Sequence, residues 1–214
     1  HLEKGVELKY KEGDRHRFVL HAHTTDKLLL FATNGRFYTI SVDRLPGGRG
    51  FGEPIRLMLD LPNDQDIVSL MVFFPGSILL LAATDGRGFI VKADDIFAQT
   101  RGGKQVLNLM EGNQAAICVP ADGDYVAVVG RNRKLIIFPL SELPEMSRGR
   151  GVIMQRYNKS SISDAKVFTL CDGLSWKIGN KTRREMELGD WIGKRSQTGR
   201  IVPKGFSKSR RFNS

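Results

Sequence analysis

The chain has 214 residues, of which 41% are hydrophobic and 26% are charged. With 33 Lys and Arg against 23 Asp and Glu, its net charge is +10, which favours a polyanionic partner. It has no apolar run long enough to span a bilayer and no visible signal peptide, so we expect a soluble cytoplasmic protein that makes no membrane contact.

The first predicted element is a β-hairpin, and it occurs four times along the chain. Apolar runs lead into Asn34 and Asp85, each followed by a glycine, and such pairs accept the positive φ angles of two-residue hairpin turns. Two further runs lead into Asn132 and Asn180. Aligned on these four residues, the spacings are 51, 47 and 48 residues. A repeat on this scale predicts stacked β modules, because no single unit could bury its own apolar face.

Each unit is predicted to supply four short strands. In the second unit these strands cover about residues 54–61, 66–74, 77–84 and 87–93. The runs 28–31 and 79–82 are apolar without alternation, which indicates strands covered on both faces. We therefore expect an all-β fold, a propeller-like disc of four-stranded blades.

The predicted domain covers residues 1–206, and its end is strongly basic. The units fall at about 5–50, 51–103, 104–150 and 151–199, followed by a closing strand. After Trp191 there are seven Lys and Arg residues and no acidic residue. Two interpretations of this end stay open, a disordered tail over residues 207–214 or a segment that takes part in binding.

The two cysteines lie in apolar strand patterns. Cys118 lies between Ile117 and Val119, and Cys171 follows the largely apolar run 167–170. A free cysteine is among the residue types most often found in a protein core. The pattern therefore predicts two buried, reduced thiols rather than a disulfide or a metal site.

A short loop of Arg, Lys and Gly closes each unit. The loops are residues 44–50 (loop 1), 99–104 (loop 2), 147–151 (loop 3) and 194–199 (loop 4). Glycine lets backbone amides approach an anion, while Arg and Lys supply charge and donors, so each loop could hold a phosphate. Because aromatic residues do not alternate with these cations, duplex DNA is favoured over stacked single strands. The candidate DNA-binding residues are Arg44, Arg49, Arg101, Lys104, Arg148, Arg150, Lys194, Arg195, Arg200 and Lys204.

Several of these stretches resemble a known family. DGRGFIVK at 85–92 and QTRGGK at 99–104, together with LSELP at 140–144 and SRGRG at 147–151, resemble the C-terminal domain of the A subunit of bacterial topoisomerase IV. The C-terminal domain of the gyrase A subunit is the second candidate. Gyrase carries a box of the form QRRGGKG, and the nearest match here, QTRGGKQ at 99–105, lacks the Arg of its second position and its final Gly. The stretches 147–151 and 193–206 look more like topoisomerase IV, which is therefore favoured. The family usually has five or six blades, so either this disc is smaller or the chain begins inside the domain.

The resemblance implies a β-pinwheel that is a DNA-binding part of a larger enzyme. Its basic edge would bind and bend double-stranded DNA, largely independently of sequence, and present it to a catalytic core for supercoil relaxation and decatenation. The implied partners are the B subunit of the topoisomerase and the rest of its A subunit, with the isolated domain a monomer in the bacterial cytoplasm, at the nucleoid. No catalytic residue, metal or cofactor is implied here, because the family's attacking tyrosine and metal-binding carboxylates lie in other regions.

The residues themselves also argue against catalysis in this domain. Segment 47–52 is rich in glycine but lacks the Lys-Ser/Thr pair and the helix of a phosphate-binding loop. His21 and His23 have no third ligand at a metal-binding spacing. Two alternatives stay open: a propeller-like platform that docks an acidic protein partner, and, less favoured, an enzyme acting alone, which would need a convergent set of catalytic side chains.

Overall fold

The computed structural model describes residues 17–47 and 54–213. The strands, in chain order, are β1 (Lys27–Ala32), β2 (Arg36–Ser41), β3 (Ile67–Val72), β4 (Ile78–Ala83), β5 (Arg87–Lys92), β6 (Lys104–Gln105), β7 (Ala115–Pro120), β8 (Tyr125–Gly130), β9 (Lys134–Pro139), β10 (Val152–Ile153), β11 (Ile162–Phe168), β12 (Leu174–Ile178), β13 (Lys181–Glu185) and β14 (Arg200–Ile201). The helical turns of these ranges are α1 (Ile55–Met58), α2 (Ala93–Ile96) and three 3₁₀ turns at Val42–Arg44, Leu140–Glu142 and Leu170–Asp172. Neither helix of the described part is long and apolar enough to cross a membrane.

The strands of the described chain form three four-stranded sheets and one two-stranded sheet, with every neighbouring pair antiparallel. Blade I has the order β3-β1-β2-β6, blade II β7-β4-β5-β10, blade III β11-β8-β9-β14, and blade IV is the hairpin β12-β13. We call β3, β7 and β11, which contact one another in turn, the inner strands, and β6, β10 and β14 the outer strands. The predicted all-β, propeller-like fold is confirmed.

The blades are not contiguous units of sequence, so the prediction that each unit supplies its own four strands is wrong. Segment 54–61 forms α1 and irregular chain, and the following strand joins blade I as β3. The outer strand of blade I, β6, comes from beyond the hairpin of blade II. A repeat period fixes the spacing of equivalent strands but not which hairpin each one pairs with. Later segments therefore complete earlier sheets, and this interlocks the blades.

The hairpins of blades I to III close through three-residue loops rather than the predicted two-residue turns. Only the third residue of each loop has positive φ, namely Gly35 (79°), Gly86 (87°) and Arg133 (63°). The residue before it is the aligned Asn or Asp, whose Oδ1 accepts the backbone N–H two positions further on, at 3.0 to 3.1 Å. This side-chain hydrogen bond explains why Asn and Asp mark the repeat.

The central strands are buried on both faces, as their unalternated apolar runs indicate. On β1, Leu29 and Phe31 pack with blade II, whereas Leu28 and Leu30 pack with Leu59 on the opposite side. β4 likewise divides its side chains between the layer shared with blade I and the layer shared with blade III. Apolar layers between successive blades thus form the core, and the polar loops remain at the edges.

The end of the described chain is packed, which differs from the disorder expected for residues 207–214. Phe206 and Phe212 are buried with Trp176 in the apolar layer of blades III and IV. The composition of this segment is dominated by charge, but two buried phenyl rings are enough to fix it. Segment 207–213 is therefore part of the folded domain.

The two cysteines differ in burial. Both are free thiols. Cys118 is buried as predicted, and burial raises the pKa of its thiol. Cys171 is exposed in the 3₁₀ turn Leu170–Asp172, so the prediction of burial is wrong for this residue.

Candidate nucleic-acid interface

Each outer strand begins directly after a glycine that its position requires. Gly103, Gly151 and Gly199 are spaced by 48 residues and have φ of 69°, 74° and 78°. In each case a Cβ atom would collide with a backbone carbonyl oxygen of the hairpin strand opposite. Left-handed φ and close backbone approach both favour glycine here. Loops 2, 3 and 4 are therefore fixed against blades I, II and III in the same way.

Loops 3 and 4 are each hydrogen-bonded to the segment that follows the preceding loop. Gly149 of loop 3 donates its N–H to the carbonyl of Val106 at 3.0 Å and accepts from the N–H of Asn108 at 2.8 Å. A similar pattern recurs about 48 residues later, where Gln197 of loop 4 accepts from the N–H of Arg156 at 3.2 Å and its neighbour Ser196 donates to the carbonyl of Met154 at 2.8 Å. The segments 99–108, 147–156 and 194–201 thus form a continuous backbone band, which we call the loop edge.

The described cations of loops 1 and 2 are exposed, and those of loop 2 are engaged with the protein. Arg44 ends the 3₁₀ turn Val42–Arg44 and is exposed, whereas Arg49 lies outside the described residues. Arg101 donates from Nη2 to the carbonyl of Leu57 at 2.8 Å, and its Nε lies 3.7 Å from Asp60 Oδ1. The ammonium of Lys104, on β6, donates to the carbonyl of Asp95. A phosphate would compete with these contacts for the same donors.

The two cations of loop 3 make few contacts with the rest of the protein. Arg148 and Arg150 are both exposed, and between them lies Gly149. Within the described chain, the side chain of Arg148 makes one long hydrogen bond, from Nε to Asn108 Oδ1 at 3.4 Å, and that of Arg150 makes none. Their guanidinium groups keep most of their donors available for an anion, which suits bidentate binding of phosphate oxygens.

The cations of loop 4 and of the chain after it differ in their exposure. Lys194, Arg200 and Lys204 are exposed, and Arg200 lies on β14 opposite Leu135. Arg195 is half-buried instead: its Nη1 donates to the carbonyl of Ile153 at 2.9 Å, and its backbone N–H donates to a carboxylate oxygen of Glu142. Arg195 therefore positions loop 4 against β10 rather than offering its charge to solvent.

Sequence reasoning missed two arginines that serve the same edge. Arg36, two residues after the hairpin-marking Asn34, donates to the carbonyls of Gly102 and Gly103 at 2.8 to 3.2 Å and so clamps loop 2. Arg156 is exposed and lines a cavity of about 560 Å³ together with Trp191 and Arg200. Neither arginine lies inside one of the Arg-Gly loops, so the loop motif could not identify them.

The remaining candidates for chemistry are placed in structural roles. His21 and His23 are exposed in an irregular segment, and the described residues contain no group of three or more His, Cys, Asp and Glu placed to hold a metal ion. The carboxylate of Asp94 accepts the backbone N–H of Gly76 at 2.8 Å, which fixes a turn. Burial raises the pKa of the Tyr157 hydroxyl, and the Asp85 carboxylate adds to this effect. A tyrosine with a raised pKa stays protonated, and therefore uncharged, at neutral pH.

Comparison with known proteins gives one family. The sequence profile of the DNA gyrase C-terminal domain, a β-propeller, matches residues 26–73, 77–113 and 124–167. The A subunit of DNA topoisomerase 4 from Rickettsia bellii is 43% identical over 96% of this chain, and that from Caulobacter vibrioides is 44% identical over 99%. The chain spans 28% of the length of each of these two relatives.

Solved structures give the same fold. The E. coli ParC C-terminal domain superposes with a TM-score of 0.81 at 24% identity, covering 97% of this chain and 89% of that one. A C-terminal domain of DNA gyrase A superposes with a TM-score of 0.62 at 16% identity, covering 89% of this chain and 64% of that one. The chain therefore belongs to the DNA gyrase C-terminal domain family, as a β-pinwheel similar to that of topoisomerase IV.

Proposed function

We propose that this domain binds and bends duplex DNA along the loop edge, as a non-catalytic part of a type II topoisomerase of the topoisomerase IV kind. The observation that carries the proposal is the repeated tethering of basic loops, at a 48-residue period, into one backbone band with exposed cations. In the intact enzyme it would present DNA to the catalytic core in the bacterial cytoplasm. Its protein partners there would be the B subunit and the remainder of the topoisomerase polypeptide to which this domain belongs.

The mechanism is electrostatic and positional. Arg148, Arg150, Lys194 and Arg200 neutralise phosphates and release condensed counterions, so affinity falls as salt rises. Loops 2, 3 and 4 contain no acidic residue that would oppose this. Because the cations are tied to successive blades, a duplex that touches all of them must curve, at a cost of a few kcal/mol that the additional contacts offset.

The recognition should be nearly independent of base sequence. No helix in the described ranges exceeds four residues, so none can lie in the major groove as a recognition helix does. Cations on short loops instead reach phosphates, which position a protein on DNA without reading bases. We therefore expect similar affinities for duplexes of different sequence.

The test is a binding titration with matched charge variants. The loop variant replaces Arg148 and Arg150 by Ala, and the control replaces Lys181 and Arg183, two exposed cations of β13, by Ala. Both remove two positive charges. With a labelled duplex of about 40 base pairs, the loop variant should bind more weakly by tenfold or more, since each lost phosphate contact removes counterion release. The control should bind like the wild type.

Two outcomes contradict the proposal. Wild-type affinity in the loop variant would remove loop 3 from the interface. Equal weakening of both variants would show that total charge, and not the loop edge, determines binding. Thermal melting of each variant checks that the fold is retained, and we expect little change because exposed charges contribute little to stability.

A further inference from the structure

Blade IV is too small to hold itself in place. It consists of the hairpin β12-β13, and its buried apolar side chains are Leu174 and Trp176, both on β12. β13 has no buried residue. A two-stranded hairpin is marginal in water without further packing. Some other part of the chain must therefore fix blade IV against blade III.

The chain after β14 supplies that packing. Phe206 and Phe212 are buried in the same layer as Trp176, with ring centroids 5.2 Å apart for Trp176 and Phe206 and 5.6 Å apart for the two phenylalanines. The indole N–H of Trp176 donates to the carbonyl of Gly205 at 3.1 Å. Phe206 and Phe212 thus contribute two buried rings to this layer, as many as Phe168 of β11 and Trp176 of β12 together.

Hydrogen bonds from both sides place the same segment between β11 and β12. The N–H of Lys177, on β12, donates to the carbonyl of Phe212 at 2.7 Å. On the other side, Phe212 donates its N–H to the Asp164 carboxylate at 2.9 Å, and the Ser163 hydroxyl donates to the carbonyl of Arg210 at 2.7 Å. Phe212 follows Asp164 by 48 residues, so this segment stands where the repeat would place an inner strand for blade IV.

The junction between blades III and IV, which this segment covers, differs from the junctions between blades I and II and between blades II and III. Met71 and Val119, on the inner strands of blades I and II, pack in apolar layers. The equivalent residue of blade III is Lys166, whose ammonium donates to the carbonyl and the hydroxyl of Ser175 at 2.9 Å. Burial lowers the pKa of Lys166, with Arg184 contributing. Polar contacts therefore replace apolar packing between blades III and IV at this point.

Two features oppose docking of the segment. Arg210 has φ of 60°, a left-handed conformation that is unfavourable for a residue other than glycine. Its Nε is buried without a hydrogen-bond acceptor among the described residues. An unpaired buried donor costs free energy that would be recovered in water. The buried rings of Phe206 and Phe212 thus hold in place a segment in which Arg210 is unfavourably placed.

We propose that residues 205–213 form a strap that fastens blade IV to blade III and opens as a separate unit. Opening removes the Lys177 and Phe212 hydrogen bonds and exposes Trp176, while the layers between blades I, II and III stay intact. The position of blade IV on the disc is thereby adjustable. Opening of the strap does not require bound DNA.

The test is residue-resolved amide hydrogen exchange on paired variants. Phe212→Ala removes the main anchor and should raise the exchange rate of the Lys177 amide at least tenfold, with the amides of β8 unchanged. Arg210→Gly relieves the left-handed φ and removes the unpaired donor, so it should slow exchange at Lys177. Lys208→Ala, at an exposed residue of the same segment, is the control and should leave the rate unchanged.

Two results would overturn the strap. One is a Lys177 exchange rate within twofold of the wild type in Phe212→Ala. The other is equal acceleration at Lys177 and in β8, which would make Phe212 an ordinary core residue of a single cooperative unit. Should Phe212→Ala fail to fold, exchange of the wild type in low urea decides the question: the strap predicts that Lys177 opens before β8, and a common opening free energy contradicts it.

Discussion

Blades I to III and blade IV come from the same sequence repeat, but they differ in the number of their strands and in how far those strands are buried. Each of the first three has four strands drawn from separate parts of the chain, whereas blade IV has two adjacent strands. The second hairpin strands β2, β5 and β9 each have at least three buried residues, but β13 has none. No outer strand pairs with β13 among the described residues. The difference shows that a repeat unit is stable through its neighbours rather than through its own sequence.

The largest expected difference is in the response to core truncation. Leu80 lies fully buried between blades II and III, and Leu174 is fully buried in blade IV. Leu80→Ala should lower the free energy of unfolding by about 2–5 kcal/mol and shift the whole transition. Leu174→Ala should mainly destabilise blade IV, because among the described residues this blade shares a single apolar layer with the rest of the domain.

Urea unfolding followed by two signals separates these cases. Both tryptophans, Trp176 and Trp191, belong to the layer of blades III and IV, so their fluorescence reports on that region, while circular dichroism reports on every sheet. Leu80→Ala should move both midpoints together. Leu174→Ala should move the fluorescence midpoint further than the dichroism midpoint, and an equal shift would show that blade IV unfolds with the rest.

An intermediate loss of stability is expected at the glycines that precede the outer strands of blades I to III; blade IV has no outer strand among the described residues. Gly151→Ala would force a Cβ against the carbonyl of Gly88 at φ 74°, and should cost about 1–3 kcal/mol. Gly189 has open space around it and no positive φ, so Gly189→Ala is a matched control with little expected effect. Thermal melting measures both, and equal Tm values for the two variants would contradict this role of Gly151.

These contrasts also show what sequence could and could not predict. The period, the hairpins and the four basic loops follow from Asn34, Asp85 and the Arg-Gly motifs, because each reflects a local backbone requirement. Strand exchange between units does not follow, since spacing leaves the pairing partner open. The buried Phe212 and the half-buried Arg195 were misjudged for a common reason: a charged local sequence says little about contacts made with distant strands.

The smallest expected effect is a pH dependence confined to the junction of blades III and IV. Burial raises the pKa of the Asp164 carboxyl, although the N–H groups of Phe212 and Ala165 and the charges of Arg211 and Lys166 act in the opposite direction. The folded protein therefore binds this proton more tightly than the unfolded chain does. As pH falls from neutral toward the ordinary carboxyl pKa, this group should increasingly favour folding.

Asp164→Asn removes this titration and provides the comparison. Acidification from about pH 7 to about pH 4.5 should raise the stability of the wild type relative to the variant, measured as the difference between their fluorescence midpoints in urea. Other carboxyl groups contribute equally to both proteins and cancel in the difference. A relative loss of wild-type stability on acidification would contradict the raised pKa.

The most direct test of DNA binding by the loop edge is the salt dependence of duplex affinity. If about six phosphates are contacted, a plot of log affinity against log salt concentration should have a slope of roughly −5 for the wild type. Replacing Arg148 and Arg150 by Ala should make the slope shallower by about two units, since two ionic contacts are lost. A slope for this variant equal to that of the wild type, or a wild-type affinity that does not change with salt, would contradict binding through these loops.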